Sequence, residues 1–410
     1  GMTTDSTTMP FPDSKASAVQ HASSRLRIES VDLLRGIIIV IMALDHVHDF
    51  FGALDASPTN LATTTAPLFL TRWITHFCAP VFFLLTGTGA RLALQRLSKG
   101  ELSRFLLTRG LWLLFLEVVV MRFALQFNFD YQVTIITVLW ALGWSMIVLA
   151  GLIHLPDWTV IVFGAVLVAG HNLLDGIPAT TFGSLAPLWS VLHAPGVLVN
   201  APPHLLFVAY PLIPWLGVTA LGYVLGQVYG WGADRRRNFL LRLGIGLSVG
   251  FVLLRLLNVY GDPVAWSVQK SPLWTLLSFL NTNKYPPSLL FLLMTLGPAL
   301  LLLRALDNGT PRWLHPALTI GKVPLFFYVL HFYLIHLLAV LASYVRFGSV
   351  SGMFRSPDLG HFPFTAPPGW AASLPAIYLL WAFVVVILYP CCRWYAGVKR
   401  RRKDWWLSYL

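Results

Sequence analysis

The chain has 410 residues, of which 56% are hydrophobic and only 11% charged, with a formal net charge of +12 and a mean hydropathy of +0.69. Soluble domains carry about 25% charged residues, so this composition excludes a protein that faces water on all sides. In so apolar a chain a cationic excess reports topology, and without basic-aromatic repeats no nucleic-acid partner is expected. Two of the three cysteines, Cys391 and Cys392, are neighbours and the third is Cys78, which leaves no disulfide framework and no ligand spacing for zinc or iron-sulfur. No metal is expected.

Gly1 before Met2 reads as an expression scar, and residues 1–24, rich in Ser, Thr and Ala, read as a disordered segment. The first apolar run begins after residue 30 and holds Asp45 and His46, with no small-residue cleavage site behind it, so it is a helix and not a signal peptide. A bilayer core about 30 Å thick requires about 20 apolar residues per helix. That template predicts an all-α, polytopic membrane bundle of about ten transmembrane helices, near 31–51, 68–92, 105–125, 135–153, 158–174, 205–228, 240–258, 287–306, 324–345 and 374–396. Residues 25–396 form one membrane domain, and 397–410 a basic cytoplasmic tail in which Trp405 and Trp406 suit the interface.

Cations fix the orientation. Arg25 and Arg27, then Arg96, Lys99 and Arg104, then Arg235, Arg236 and Arg237, then Arg312 and Lys322, then the tail from Lys399 all fall on one side of such a bundle. By the positive-inside rule that side is the cytoplasm, and both termini lie there.

Ionisable residues within the spans face a cavity or one another, because hydrocarbon excludes them. Arg35 and His46 are eleven residues apart, or about three turns plus 20°, so they share a helix face about 16 Å apart along the axis. A stripe of Asp32, Arg35, Ile39, Met42 and His46 can hold a long molecule with an anionic head inside and its reactive end outside. Arg35 snorkelling or pairing with Asp32, and His46 as a helix-end residue, remain alternatives, weakened by the clustering of Asp45, His48 and Asp49. The second helix adds Arg72, His76 and Pro80, with His76 near the depth of His46 as a base, a ligand for the acceptor or a packed group. Arg104 and Arg109 begin the third helix, to meet phosphates or anchor the cytoplasmic face, and Glu117 lies in mid-span. Tyr328 and His331, at i and i+3, face the cytoplasmic half with His336 beyond, and the polar run from Asn281 through Lys284 to Ser288 opens the eighth helix. His46 and His48 point to different faces, which argues against a metal pair. A soluble insertion, a Walker loop and a serine elbow are all missing, so the chemistry has to come from inside the membrane.

The segment Arg27-Ile28-Glu29-Ser30-Val31-Asp32-Leu33-Leu34-Arg35-Gly36, with Asp45-His46 and residues 75–80, 210–215, 284–288 and 328–331, resembles the heparan-alpha-glucosaminide N-acetyltransferase family and its bacterial relatives. The resemblance spans most of residues 27–396, and the Arg35–His46 spacing is also similar to the acyltransferase-3 membrane enzymes. It implies a multi-pass protein of the bacterial inner membrane that takes acetyl-CoA, or another acyl-CoA, from the cytoplasm and delivers the acyl group to an amine or hydroxyl of a glycan or glycolipid acceptor on the far side. The lysosomal enzyme's catalytic histidine follows its first helix, but residues 52–67 hold none here, so the base is displaced or replaced by His46. On this resemblance His46, His76 and Asp45 are the catalytic candidates. Arg35, Arg104, Arg109, Lys322, Tyr328 and His331 are candidates for binding the donor, and His48, Arg72, Asn281 and Lys284 for binding the acceptor. The partners expected are the bilayer, acyl-CoA and the acceptor, with a homodimer left open. The competing reading is a secondary transporter or flippase that uses the same ionisable residues as a proton relay; a cytoplasmic cation cluster in line with Arg35 and His46 favours the transferase.

Overall fold

The computed structural model describes residues 14–54, 56–402 and 404, with side chains from residue 29 on. The chain is mostly helical: α1 (Ser14–Phe51), α2 (Ala66–Thr75), α3 (Cys78–Ala93), α4 (Lys99–Phe115), a π-helical turn (Leu116–Met121) and α5 (Arg122–Gln126) come first. Strand β1 (Val133–Ile136), α6 (Val138–Leu152), α7 (Asp157–Gly170), α8 (Ala186–Leu192), β2 (Gly196–Ala201), β3 (His204–Val208) and α9 (Leu212–Leu225) follow. The rest is α10 (Ala233–Leu257), α11 (Pro272–Leu280), α12 (Leu289–Ala305), α13 (His315–Gly321), α14 (Pro324–Phe347) and α15 (Leu374–Arg401).

Among the described residues seven helical stretches are long and apolar enough to cross a membrane: Ala66–Ala93, Asp157–Leu174, Leu212–Gly230, Ala233–Leu257, Leu289–Asn308, Pro324–Phe347 and Leu374–Arg401. The other three expected spans fall in α1, in the α4–π–α5 rod and in the shorter α6. α7, α10 and α15 bury the least of their surface and present Trp158, Val166, Val249, Leu253, Leu379 and Val386 outward, the pattern of helices that face lipid.

The expectation of a purely helical chain needs one correction. β1 pairs parallel with β3, and β3 antiparallel with β2, in a three-stranded sheet where the helices of 135–153 and 205–228 were expected to begin. Val133, Thr134, Ile135 and Ile136 are β-branched and favour extended backbone. Pro202, Pro203 and Pro211 keep helix out of the stretch before Leu212. A second departure is the interruption of the Ala66–Ala93 span at His76–Phe77. Pro80 cannot donate to the His76 carbonyl and its ring would clash there, so the helix restarts. At the N-terminus α1 begins at Ser14, within the 1–24 segment; residues 1–13 of that segment, and Trp405 and Trp406, lie outside the described residues.

Two glycines fix the register between α1 and α13. A Cβ on Gly36 would lie 1.7 Å from the Ala317 carbonyl oxygen, and one on Gly321 1.8 Å from that of Asp32. The backbones touch, which seats Lys322 and the start of α14 beside the Asp32–Arg35 turn. Elsewhere ion pairs join the rods: Arg236 and Arg237 both bond the buried Asp307 carboxylate, and Arg91 takes both oxygens of the partly exposed Asp157.

Candidate active site

A cavity of about 890 Å³ runs between α1, α3, α4, α6 and α14 and is chemically different at its two ends. Arg35, Arg96, Arg109, Lys322 and Lys399 line one end, and Asp45, His46, His48, Asp49, Arg72, Tyr210, Lys284 and Tyr285 the other. Met42, Phe82, Leu85, Leu113, Leu142 and Leu325 lie between them. The helical period that sets Arg35 and His46 on one face of α1 therefore places them at opposite ends of one bore.

At the cationic end Arg35 bonds Asp32 at 2.8 Å, one turn away on the same helix. Arg96 arrives from the turn after α3, Arg109 from α4, Lys322 from the turn after α13 and Lys399 from the last turns of α15. Arg104 is exposed on α4 and does not line the cavity. Five cations from five separate segments outnumber the nearby carboxylates Asp32 and Glu29 and make a positive vestibule, suited to an anionic group with several charges.

At the other end the Arg72 guanidinium forms an ion pair with Asp45, and the Thr75 hydroxyl donates to the same carboxylate at 3.3 Å. Asp45 is thereby committed to α2 and does not orient His46. His46 instead meets α14: its Nδ1 lies 2.7 Å from Nε2 of His331, and its ring packs on Phe332 with centroids 4.3 Å apart. On its far side His331 directs Nδ1 at the carbonyl oxygens of Tyr328 and Phe327. Tyr328 lines the cavity, with its ring edge-on to His46 at 6.3 Å. His331 is fully buried behind His46 and is no part of the cationic vestibule.

Of the other candidates, His48, Arg72 and Lys284 line the imidazole end. His76 is buried against Phe291, with Nδ1 unbonded among the described residues, and is not on the cavity wall. Asn281 donates to the Thr59 carbonyl and also lies off the wall. Glu117 sits in the π-helical turn, where its carboxylate accepts the Thr137 backbone N–H at 2.5 Å and hydroxyl at 3.1 Å. That bond fixes the β1–α6 turn, whose Thr137 and Val138 form part of the wall. Asp45, His46 and Asp49 bring one ligand atom each within 4.8 Å of one another. The cations Arg72 and Lys284 share that end of the wall, which opposes a divalent ion there.

Reasoning from sequence passed over Arg96 and Lys399 as vestibule residues, since both read as cytoplasmic anchors. It also passed over Tyr210 and Tyr285, although both stand in the Pro-containing motifs 210–215 and 284–288. The signal for Lys399 was position: it is the first cation of the tail, still within helix.

Membrane-length apolar helices surrounding a cavity with a cationic end and a half-buried imidazole mark an integral membrane protein whose helices enclose a chemically two-ended space. The model of the heparan-alpha-glucosaminide N-acetyltransferase catalytic domain matches residues 27–248, more than half of the chain. The chain belongs to that family of acetyltransferases. No curated protein matches it. The matched part carries Arg35, Asp45, His46, Arg72 and Arg109, whereas Lys284, Lys322, Tyr328, His331 and Lys399 come from the C-terminal remainder.

Proposed function

We propose that the protein is a transmembrane acetyltransferase that takes acetyl-CoA at the cationic vestibule and passes the acetyl group to an amine or hydroxyl of a sugar-type acceptor at the His46 end. The observation that carries this reading is the single cavity joining the two ends. A nucleotide with several phosphates suits Arg35, Arg96, Arg109, Lys322 and Lys399. The apolar bore suits the slender arm of the donor, and His46 stands where its thioester would arrive. The positive-inside rule sets the vestibule in the cytoplasm and His46 near the opposite face, in a bundle with about ten crossings and both ends inside.

The chemistry is a direct transfer. The acceptor nitrogen or oxygen attacks the thioester carbonyl while His46 removes its proton. The new bond to the acyl carbon forms, the carbon–sulfur bond breaks, and the departing thiolate takes the proton back from His46. Atoms and charge balance without a covalent enzyme intermediate. Tyr210, Tyr285 and Lys284 are placed to hold the acceptor, an aromatic wall with a cation suiting a sugar ring and its polar substituents.

Proteoliposomes test this reading. With acetyl-labelled acetyl-CoA outside vesicles in which the vestibule faces outward, and glucosamine trapped inside, label should accumulate on the trapped sugar. Uptake of intact acetyl-CoA would instead identify a transporter, and acetylation confined to the donor's side would refute the proposed sidedness.

A further inference from the structure

The contact between His46 and His331 carries an inference about which atom does the work. Backbone carbonyl oxygens only accept hydrogen bonds. His331 directs Nδ1 at two of them, those of Tyr328 and Phe327, so Nδ1 carries a proton. The ring is fully buried, packed on Phe327 and Phe332, and no carboxylate among the described residues bonds to it. Such surroundings hold it as the neutral imidazole, whose Nε2 is then a bare acceptor. At 2.7 Å the facing Nδ1 of His46 must be the donor. One proton per neutral ring leaves Nε2 of His46 bare, with no partner among the described residues and the ring on the cavity wall.

We propose that His331 is a positioning residue that fixes the tautomer of His46 and so makes the cavity-side Nε2 the base of the acetyl transfer. The proposal rests on the reading of His46 as base given above and adds a role for a residue outside the family match. The role is the one the third member plays in a catalytic triad: it holds the imidazole ring and stabilises the imidazolium once Nε2 has taken the acceptor's proton. Here the orienting group is a second imidazole. When His46 is protonated at Nε2, its Nδ1–H strengthens the bond to His331 Nε2, and the charge is shared over two rings deep in the protein. Nothing leaves the pair, because the proton returns through Nε2 to the departing thiolate. Asp45, the neighbour in sequence, cannot serve this purpose, since Arg72 holds it from the other side.

The local sequence explains why the pair forms. Tyr328, His331 and Phe332 lie at i, i+3 and i+4 on α14 and so share the face that packs on α1. Pro324 in the first turn fixes where that face begins.

The test uses the full chain in bilayers with 15N-labelled histidine, the signals assigned through His46→Gln and His331→Gln. The wild type should show His46 protonated on Nδ1 and unprotonated on Nε2, and His331→Phe should release His46 into a mixture of tautomers. With acetyl-CoA and glucosamine as substrates, His331→Phe should lower kcat by about 10²–10⁴-fold and leave the KM for acetyl-CoA within about twofold. His331→Gln, whose amide oxygen can accept where Nε2 did, should recover at least about tenfold of the loss. A wild-type His46 protonated on Nε2 overturns the proposal, as does a folded His331→Phe protein with unchanged kcat. Should His331→Phe fail to fold, the wild-type tautomer and the His331→Gln kinetics decide. Full turnover by His46→Gln would defeat the reading of His46 as base, even where the tautomer proved correct.

Discussion

The closest backbone approach at any glycine of the described residues gives a direct test of the architecture. Gly36 of α1 and Gly321 of α13 let two backbones touch, and a methyl group on Gly36 would sit 1.7 Å from the Ala317 carbonyl oxygen. Ordinary carbon–oxygen contact needs about 3.4 Å, so Gly36→Ala requires the helices to part by about 1.7 Å. Close packing makes so large a shift costly, and overpacking of this kind costs about 1–3 kcal/mol or more. Gly246 on α10 provides an internal control, since a Cβ there meets nothing within 4 Å. Replacing a glycine by alanine in an open helix interior gains about 0.5–1 kcal/mol, so the two substitutions should have opposite signs. In a thermal unfolding assay on purified protein in detergent, Gly36→Ala should unfold below the wild type and Gly246→Ala at or above it. The same displacement moves Lys322 away from the vestibule, so the affinity of Gly36→Ala for acetyl-CoA should also fall. Equal stability of the two variants would refute the α1–α13 contact and, with it, the seating of Lys322.

Other expectations concern the two ends of the cavity. Arg35→Ala, Arg109→Ala and Lys399→Ala should each weaken acetyl-CoA binding, by about 10–100-fold for a lost charge-assisted contact, in isothermal titration; exposed Arg104→Ala should leave it unchanged. Arg72→Met strands a buried carboxylate and should destabilise the fold by about 3–5 kcal/mol. The double variant Arg72→Met/Asp45→Leu should recover most of that loss, read as a non-additive shift in thermal unfolding. His76→Phe should keep kcat within about threefold in the acetyl-transfer assay, because the ring lies off the cavity wall; a loss as large as that of His46 variants would transfer the role of base to His76.

What the sequence made legible was whatever a single helix determines. Arg35 and His46 occupy one face because of the helical period alone, and they stand at opposite ends of one cavity. The apolar runs likewise yielded the membrane-length rods, because length and hydropathy are local quantities. Pairings across helices were not legible: Asp45 with Arg72, and His46 with His331, depend on how α1 meets α2 and α14. The assignment of His331 to donor binding followed from its place one turn from Tyr328, which is correct for α14 and silent about α1. The small sheet was missed because residues 133–136 and 204–208 are as apolar as the helices that follow them, and hydropathy alone does not separate a buried strand from a helix end. Lys399 was obscured by the basic run after it, which topology alone explains.

The central claim is that one cavity brings a cytoplasmic acyl donor to His46. Equilibrium binding of labelled acetyl-CoA, paired with acetyl transfer to glucosamine, tests it most directly when wild type and His46→Ala are compared. The account predicts binding in the micromolar range for both proteins and a loss of about 10²–10⁴-fold in turnover for the variant alone. Failure of the wild type to bind acetyl-CoA, or full turnover by His46→Ala, would contradict it.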